Sequence, residues 1–162
     1  MIVAMHMDDR LVHGQVVMTW LPEIQGEIVL VANDDVFEDK VRRSTMKLAI
    51  PSGIKIAFRT IEGAVAFLND PKYSSNRIMV LTNNPQDAEK ICQSVSGVEK
   101  ITIGGIRKNA PMIHDNLNLT EKDVDCFKRI INSGVEVGMQ PTPNHRFESL
   151  TRIFNKNSGN SK

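Results

Sequence analysis

Residues that bind metals or form disulfides are scarce in this chain of 162 residues, which has only two cysteines, Cys92 and Cys126. The two lie far apart and form no CxxC pair, so neither a redox motif of that type nor a cysteine-based zinc site is expected. Both fall in segments with helical periodicity, where an unpaired cysteine behaves as a small apolar residue. The sequence therefore predicts a protein without a metal, without a cofactor and without a cysteine nucleophile.

A strong net charge and long apolar runs are also absent. The formal net charge is +1 at pH 7, which argues against a nucleic-acid footprint or a polybasic membrane anchor. No run approaches the roughly 20 apolar residues needed to span a bilayer. Residues 1–6 lack the charged start and the apolar core of a signal peptide. We therefore expect a cytoplasmic protein that does not bind nucleic acid.

The chain length and the alternation of segment types predict one α/β domain over residues 1–162. A chain of this length can bury about two thirds of its unfolded surface. Strand-like segments alternate with segments of helical periodicity, which is typical of a mostly parallel sheet covered by helices on both faces. We expect a doubly wound, three-layer α/β/α domain with roughly six or seven strands. The predicted strands are residues 2–7, 27–33, 54–59, 77–82, 99–103 and 135–140.

Apolar residues at helical spacing predict a helix after each of these strands. The residues expected to face inward are Val16, Val17, Trp20, Leu21 and Ile24 in the first helix; Phe37, Val41 and Leu48 in the second; Ile61, Ala64, Val65 and Leu68 in the third; Ala88, Ile91, Cys92 and Val95 in the fourth; and Val124, Phe127 and Ile131 in the fifth. A last helix is predicted near residues 146–155, with Phe147 among its apolar residues. Residues 156–162 are expected to form a flexible polar tail.

Three polar segments are expected to meet at one edge of the sheet. In an open parallel sheet, ligands bind where the carboxyl ends of strands lead into helix N-termini. That rule brings together residues 8–15, 33–35 and 104–107, each of which follows a predicted strand. Because the first strand of such a sheet is usually central, its loop is the best placed of the three.

The loop of residues 8–15 carries residue types that suit phosphoryl transfer. A neutral imidazole, here His13, offers a free lone pair to a phosphoryl group at cytoplasmic pH. Its other nitrogen must donate to a fixed acceptor if the ring is to be oriented. Asp8 or Asp9 could supply that acceptor, and the residues alone do not decide between them.

The same loop offers groups that could bind phosphoryl oxygens. The guanidinium of Arg10 is suited to bidentate binding of a phosphate. Gly14 leaves room for close approach, and the helix that follows offers free backbone N–H groups around Gln15. From the residues alone, a capping or surface histidine beside a solvated turn would explain the pattern equally well.

The other histidines and carboxylates have simpler structural explanations. His6 lies within the first predicted strand, and His114 and His145 lie in polar stretches. We expect a packed strand residue in the first case and surface residues in the other two. Asp34 and Asp35 are expected to cap a helix first and to contribute to the site second.

A glycine pair, Gly104 and Gly105, follows the fifth predicted strand. Such a pair can let a phosphate approach the backbone, or it can simply form a turn. Arg107 comes two residues later and would add a second cation to the same edge. Together with Asp8 and Asp34, these residues are supporting candidates for the site.

One known family has an active-site segment similar to this loop. The enzyme IIB components of the mannose/fructose/sorbose family, in the bacterial phosphoenolpyruvate-dependent sugar phosphotransferase system, contain a segment that resembles Asp8-Asp9-Arg10-Leu11-Val12-His13-Gly14-Gln15-Val16 followed by Thr19-Trp20. The resemblance continues through residues 31–35, Gly104-Gly105 with Arg107, and residues 119–124. It covers nearly the whole chain, in order and at matching spacing.

The resemblance implies a phosphoryl carrier. His13 would accept a phosphoryl group at Nδ1 from a phosphohistidine of a IIA component. It would then pass the group to a sugar that enters through the membrane components IIC and IID. Arg10 would bind the phosphoryl group, and Asp9 would help to set the loop and orient the imidazole. The protein would be a cytoplasmic phosphotransferase that associates with the inner face of the membrane through IIC and IID.

Some properties stay open after this comparison. The sequence does not identify the sugar or the oligomeric state, for which a homodimer is favoured. The IIA donor would be a separate chain or a separate domain of another protein, and the sequence does not decide whether it is a separate chain. His6 stands where many members of the family carry arginine, which calls into question any partner contact at that position.

Of three alternative functions, the first two require features that this sequence lacks. A histidine-acid phosphatase needs an arginine directly before His-Gly, where this chain has Val12. A receiver-type signalling domain needs an aspartate at the end of its third strand, where this chain has Arg59-Thr60. A regulatory, phosphocarrier-like paralogue would keep the phosphorylated histidine without passing the group to a sugar.

Overall fold

A seven-stranded sheet forms the centre of this computed structural model, which describes residues 1–159. The strands are β1 (Ile2–Asp8), β2 (Ile28–Ala32), β3 (Lys55–Arg59), β4 (Ile78–Thr82), β5 (Lys100–Gly105), β6 (Met112–His114), β7 (Leu117–Asn118), β8 (Glu136–Met139) and β9 (Glu148–Ser149). The order across the sheet is β3-β2-β4-β1-β5-β8-β9, and β6 and β7 form a separate ribbon. All pairs in the sheet are parallel except β8 with β9.

Helices connect the strands. They are α1 (Gly14–Ile24), α2 (Asp34–Glu38), α3 (Lys40–Leu48), α4 (Ile61–Asn69), α5 (Pro85–Ser94), α6 (Glu121–Asn132) and α7 (Leu150–Gly159), with a 3-10 turn at Pro71–Tyr73. Within residues 1–159, none of them is both long enough and apolar enough to cross a membrane. The predicted doubly wound α/β class is confirmed. The six predicted strands are all present, and their ends differ from the prediction by at most two residues.

The helices cover both faces of the sheet because alternate strand residues point to opposite faces. On one face, α1 and α3 pack on the sheet through side chains such as Val17, Leu21 and Met46. On the other face, α4 to α7 pack through a larger cluster that includes Phe67 and Phe127. This is the three-layer arrangement that the alternation of segments predicts.

Two neighbouring strands, β1 and β5, lead into connections that diverge. From β1 the chain passes through α1 to β2 on one side, and from β5 it passes through α6 to β8 on the other. A crevice forms at such a point in an open parallel sheet. Residues 8–15 and 104–107 therefore meet there, as predicted, whereas residues 33–35 follow β2, which β4 separates from β1.

The prediction of one helix between β2 and β3 is wrong. The chain forms two helices there, because the Asp39 side chain accepts a hydrogen bond from the N–H of Arg42 at 3.0 Å and starts α3 afresh. Two residues expected to face inward, Val41 and Leu48, are 76% and 88% exposed. Because α3 starts afresh at Asp39, its orientation differs from that of one continuous helix. Its buried residue is Met46.

The last predicted helix is displaced towards the C-terminus. Glu148 and Ser149 pair with β8, so the chain before Leu150 is a strand and Phe147 lies outside the helix. The helix then continues to Gly159, where Asn157 Nδ2 donates to the carbonyl of Ile113 at 2.9 Å. It thus includes residues 156–159 of the segment that we expected to be a flexible tail. Residues 160–162 of that segment lie outside the described part of the chain.

Candidate functional site at the ends of β1 and β5

A tight loop over residues 9–13 leads from β1 to α1. The N–H of Leu11 donates to the carbonyl of Asp8 at 2.9 Å. Leu11 has φ of 56°, in the left-handed region, which costs about 1–2 kcal/mol for a residue with a Cβ. Its side chain is fully buried, and burial of a leucine contributes about 1.5–3 kcal/mol. The buried leucine therefore offsets the strain and sets the position at which the loop turns.

Arg10 is bound by the carboxylate of Asp8. Arg10 Nε donates to Asp8 Oδ1 at 2.9 Å and Nη2 donates to Oδ2 at 3.0 Å, while the Arg10 backbone N–H donates to Oδ1 at 2.9 Å. Burial raises the pKa of Asp8, but the hydrogen bonds and the charge of Arg10 together bring that pKa below its ordinary value. Asp8 is therefore an anion at neutral pH. Asp8 thus binds the guanidinium of Arg10 in the unloaded protein, while 43% of the Arg10 side chain stays exposed.

Arg107 is bound in a similar way by Asp9. The Arg107 backbone N–H donates to Asp9 Oδ2 at 2.7 Å, and Nη1 donates to Oδ1 at 2.6 Å. Arg107 Nη1 also lies 3.7 Å from Asp8 Oδ1. The crevice thus contains two neighbouring Asp–Arg pairs, one within the β1 loop and one that joins this loop to the segment after β5. The prediction that Arg107 shares an edge with this loop is confirmed.

Gly104 and Gly105 are the last residues of β5 rather than a turn. A Cβ on Gly104 would stand 2.9 Å from His6 Nε2 and would overlap the carboxylate of Asp8. A Cβ on Gly105 would overlap the guanidinium of Arg107. The glycine pair thus leaves space for the side chains of Asp8, His6 and Arg107. This role differs from both of the predicted ones, a turn and a phosphate-binding backbone.

His13 occupies the N-cap position of α1. Its φ and ψ are −122° and 131°, the extended backbone that an N-cap requires. Among residues 1–159, no side chain accepts a hydrogen bond from the first N–H groups of α1. His13 is half-buried, and its Nδ1 is buried with no hydrogen-bond partner among residues 1–159.

The expected contact between the imidazole and an aspartate is not formed. The carboxylates of Asp8 and Asp9 bind the two arginines instead, because each guanidinium offers a charged, multidentate donor that a neutral imidazole does not match. The role of Asp9 in orienting the ring is therefore replaced by a role in fixing Arg107. Beside the imidazole, a Cβ on Gly14 would meet no atom within 4 Å, and Gln15 is exposed.

His6 is a packed strand residue, as expected. Its side chain is fully buried, so the position at which many relatives carry arginine is not a surface for partners in this chain. Its Nδ1 lies 2.7 Å from Thr102 Oγ1, and its ring centroid lies 5.5 Å from that of Trp20. Sequence reasoning missed Thr102. The strict alternation of residues 100–104 would have placed Thr102 on the same face as Gly104, next to His6 on the neighbouring strand.

Asp34 is not part of the crevice. Its carboxylate accepts a hydrogen bond from the N–H of Ile61 at 2.8 Å and so helps to cap α4, whereas the cap of its own helix is Asn33. The expectation of a capping role is confirmed, although the helix is a different one. Asp34 lies beyond β4 from the β1 loop, and its hydrogen bond to Ile61 has a structural role.

A second buried carboxylate belongs to Asp123. It forms an ion pair with Lys108, accepts a hydrogen bond from Gln86 Nε2 at 3.0 Å and accepts another from the N–H of Thr120 at 3.0 Å. These contacts fix the segment after Arg107 to the starts of α5 and α6. Thr120 and Asp123 form a capping box at the start of α6, whereas the ion pair with Lys108 depends on the tertiary structure.

The remaining predicted residues lie away from the crevice. His114 pairs with Glu148, with Nε2 3.0 Å from Oε2, and His145 Nδ1 lies 2.7 Å from Thr142 Oγ1. Burial raises the pKa of Cys92 to about 11 and that of Cys126 to about 12. Neither thiol is therefore suited to act as a thiolate nucleophile.

No group of three or more histidine, cysteine, aspartate and glutamate residues within residues 1–159 is arranged to bind a metal ion. The charges of the crevice are instead two carboxylates compensated by two guanidiniums. Each guanidinium is partly exposed. The arrangement suits the binding of an anionic group next to a nucleophilic imidazole.

Comparison with known proteins gives a consistent result. The family described as the sorbose-subfamily IIB component of the phosphotransferase system matches residues 2–162. A probable phosphotransferase enzyme IIB component of Streptococcus pyogenes serotype M6 is 35% identical over 163 residues, which cover 96% of this chain and 100% of that protein. The sorbose-specific EIIB component of Klebsiella pneumoniae is 30% identical over 135 residues, 82% of each chain.

Solved structures agree with these sequence matches. The IIBSor domain of the sorbose permease from Klebsiella pneumoniae superimposes with a TM-score of 0.91 at 27% identity, over 96% of each chain. The matches do not favour a receiver domain or a regulatory paralogue. The chain belongs to the sorbose-subfamily IIB components and is a phosphoryl-transfer subunit of a sugar phosphotransferase system.

Proposed function

We propose that His13 is the residue that carries the phosphoryl group. The observation that supports this most directly is its position at the N-cap of α1, a helix whose first N–H groups have no capping side chain. His13 lies three residues after Arg10, and both belong to the loop at the diverging ends of β1 and β5. A free helix N-terminus favours an anion through its N–H groups and its dipole.

The family resemblance assigns the phosphoryl group to Nδ1, and the position of His13 gives a physical reason for that choice. In aspartate or asparagine at an N-cap, the oxygen bonded to Cγ accepts hydrogen bonds from the second or third N–H of the helix. Nδ1 is the imidazole nitrogen bonded to Cγ. A phosphoryl group on Nδ1 would bring its oxygens towards the free N–H groups of Gln15 and Val16, which would then be satisfied in the loaded protein.

Attack by Nδ1 requires a movement of the ring, because this nitrogen is buried in the unloaded protein. Rotation about the Cβ–Cγ bond exchanges the places of Nδ1 and Cδ2 and would bring the lone pair to the surface. No backbone change is needed, since φ and ψ of His13 already suit the cap. The space beside Gly14 is open to the incoming group.

Arg10 acts in this proposal as the cation that stabilises the transferred group. Most of the work in phosphoryl transfer is positioning and charge stabilisation. The guanidinium of Arg10 is held by Asp8, yet Nη1 donates to no residue in the described part of the chain. Arg107 supplies a second partly exposed cation, and Asp9 fixes it.

Membership of the family implies a IIA component as donor and the membrane components IIC and IID as the site of the sugar. We infer that the N–P bond of a IIA phosphohistidine breaks as a new N–P bond forms on His13. The oxygen of a sugar hydroxyl at IIC and IID then forms a bond to phosphorus as the N–P bond on His13 breaks, and the hydroxyl proton passes to a base or to water there. The partial or full exposure of Arg10, His13 and Gln15 supports this proposal. The protein would reach the membrane through IIC and IID.

The experiment is a phosphorylation assay with site mapping. The protein is incubated with labelled phosphoenolpyruvate, the general phosphotransferase proteins and a IIA component of the same family. We expect an acid-labile label on His13, with the 31P NMR signal of a phosphohistidine substituted at Nδ1. Labelling of His13→Ala at the wild-type level, or label at Cys92, would overturn the assignment, and His145→Ala serves as the matched control.

A further inference from the structure

His6 contains a buried polar atom that the proposed function does not explain. Its Nε2 is buried without a hydrogen-bond partner among the described residues, and its side chain is fully buried. A buried donor or acceptor without a partner is costly and rare, so each instance needs a reason. Phenylalanine would fill the same space at no such cost.

The protonation of the ring follows from its neighbours. Thr102 Oγ1 lies 2.7 Å from His6 Nδ1 but 3.5 Å from the carbonyl of Met5. We assign the imidazole proton to Nε2, because the anionic carboxylate of Asp8 lies near that nitrogen: Asp8 Oδ2 and His6 Nε2 are both close to the position of a Cβ on Gly104. The hydroxyl of Thr102 then donates to Nδ1. Burial lowers the pKa of His6 to about 4, with Asp8 raising and Arg10 lowering it, so the ring is neutral and Nε2 is a donor without an acceptor.

This donor faces the carboxylate that holds Arg10. His6 and Asp8 are alternate residues of β1, so their side chains lie on the same face of the sheet. Both His6 Nε2 and Asp8 Oδ2 lie within 3.0 Å of the point at which a Cβ on Gly104 would stand. The register of β1 with β5 shifts at this point: Met7 pairs with Ile103 and Asp8 pairs with Gly105, so Gly104 has no partner in β1. Because Gly104 has no side chain, His6 Nε2 and the carboxylate of Asp8 can both occupy the space next to it.

In the proposed transfer, the hydrogen bonds to the carboxylate of Asp8 change. In the unloaded protein, Arg10 donates to both carboxylate oxygens of Asp8. If Arg10 turns towards a phosphoryl group on His13, it gives up part of this pairing. Asp8 would then be a buried carboxylate that has lost donors, and this state is strongly unfavourable unless another donor replaces them.

We propose that His6 is a positioning residue, which donates a hydrogen bond from Nε2 to Asp8 when Arg10 moves to the phosphoryl group. This step involves no proton transfer, because the proton is already on Nε2 and Thr102 keeps its hydrogen bond to Nδ1. Arg107 Nη1, 3.7 Å from Asp8 Oδ1, is the other group that can compensate the carboxylate. His6 acts only through Asp8 and makes no contact with the phosphoryl group. The inference rests on the proposed role of Arg10.

The first test is spectroscopic and uses the complete chain. In protein labelled with 15N in its histidines, long-range 1H–15N spectra report the proton position and the pKa of each ring, and His6→Gln identifies the His6 signals. In wild-type protein with the phosphoryl group on His13, we expect the Nε2 proton of His6 to shift downfield. In unphosphorylated Arg10→Gln, we expect the pKa of His6 to rise from about 4, because Asp8 then faces His6 without its cation.

The second test uses transfer rates and separates a donor from a mere space-filler. His6→Phe keeps a ring and removes the donor, and we expect transfer from IIA to slow by about 10-fold. His6→Gln keeps an N–H at a similar place and should restore the rate to within about 3-fold of wild type. His114→Phe, at a histidine far from the crevice, is the matched control and should not change the rate.

The outcomes distinguish this inference from the proposed function. Failure of His13 to become phosphorylated would remove the proposed function, and the Arg10→Gln titration would still report on His6 in the unphosphorylated protein. Phosphorylation of His13 with unchanged His6 signals, both there and in Arg10→Gln, would overturn the role of His6. So would equal rates for His6→Phe and His6→Gln.

Discussion

The N-termini of α1 and α6 both lie at the carboxyl edge of the sheet, but their N–H groups are used differently. At α6, Thr120 Oγ1 accepts from the N–H of Asp123 at 3.2 Å, and the carboxylate of Asp123 accepts in return from the N–H of Thr120 at 3.0 Å. At α1 the cap residue is His13, and no side chain in the described part of the chain accepts a hydrogen bond from the N–H groups of the first turn. The start of α6 is therefore capped by side chains of the protein, and the start of α1 is not.

The open start of α1 is not a general property of this chain. Side chains cap α2 to α5 as well, through Asn33, Asp39, Thr60 and Asn84. A cap of this kind contributes about 1 kcal/mol. The start of α1 forgoes that stabilisation, and in the proposed function the phosphoryl group supplies the missing acceptor only while the protein is loaded. The difference teaches that stability and transfer make opposite demands on the same N–H groups.

Replacing His13 tests this comparison with the largest expected effect. His13→Ala should reduce phosphorylation to background, since the nucleophile is lost. His13→Asp should be equally inactive, yet it should raise the free energy of unfolding by about 1 kcal/mol relative to His13→Ala, because a carboxylate at this backbone geometry caps the helix. Urea denaturation measures the difference. Equal stabilities of the two variants would mean that the start of α1 does not lack a cap.

Arg10→Ala should affect both transfer and stability. Transfer should slow by about 100-fold, the usual effect of removing one stabilising group from a transition state. The free energy of unfolding at pH 7 should fall by about 2 kcal/mol, because the buried carboxylate of Asp8 loses its main donors.

The stability effect of Arg10→Ala should depend on pH with a definite sign. In the wild type, Arg10 brings the pKa of Asp8 below its ordinary value, so the contribution of Asp8 is present at neutral pH and is lost as the pH falls through the folded-state pKa. In the variant, burial dominates and raises the pKa, so protonation relieves the cost as the pH falls. Urea denaturation between pH 7 and about pH 3.5 should therefore show the two proteins converging in stability. A constant difference would contradict this assignment.

Two glycines form a matched pair for the next test. Gly104→Ala should cost about 1–3 kcal/mol, because its Cβ would overlap Asp8 and crowd His6. Gly14→Ala should change the free energy of unfolding by no more than about 1 kcal/mol, since a Cβ there meets nothing within 4 Å. Thermal or urea denaturation compares them. If both variants were equally stable, the close packing over Gly104 would be absent in solution.

Thr120→Ala has the smallest expected effect and completes the comparison. It removes the cap of α6, so the free energy of unfolding should fall by about 1 kcal/mol. Phosphorylation of His13 should continue at the wild-type rate, because α6 takes no part in the proposed transfer. A loss of transfer in a folded Thr120→Ala protein would show that the two helix starts are not independent.

Local sequence signals predicted much of this protein. The alternation of strand and helix segments predicted the α/β class, and apolar spacing predicted helices such as α1 and α5. These signals work because apolar periodicity depends on neighbours in sequence. The failures have tertiary causes: Val41 and Leu48 are apolar at helical spacing, but Asp39 starts a new helix that turns both outwards.

The candidate site shows the same division. His13, Arg10, Asp9 and Arg107 could be named from the sequence because their residue types suit phosphoryl chemistry and each follows a predicted strand. Which carboxylate binds which cation could not be predicted, since a short loop can turn either aspartate towards either arginine. The pairing depends on the buried Leu11, whose left-handed backbone sets the direction of the turn.

The sequence by itself determined the order of strands and helices, the apolar faces and the run of residues 8–15 that carries the family resemblance, because these depend on spacing along the chain. Only the tertiary structure decided that β5 lies beside β1 and that Gly104 leaves room for Asp8 and His6 at one spot. It also decided that each aspartate is bound by an arginine instead of by the imidazole. Contacts between residues almost one hundred positions apart follow from strand order and side-chain volume, which spacing along a single chain does not contain.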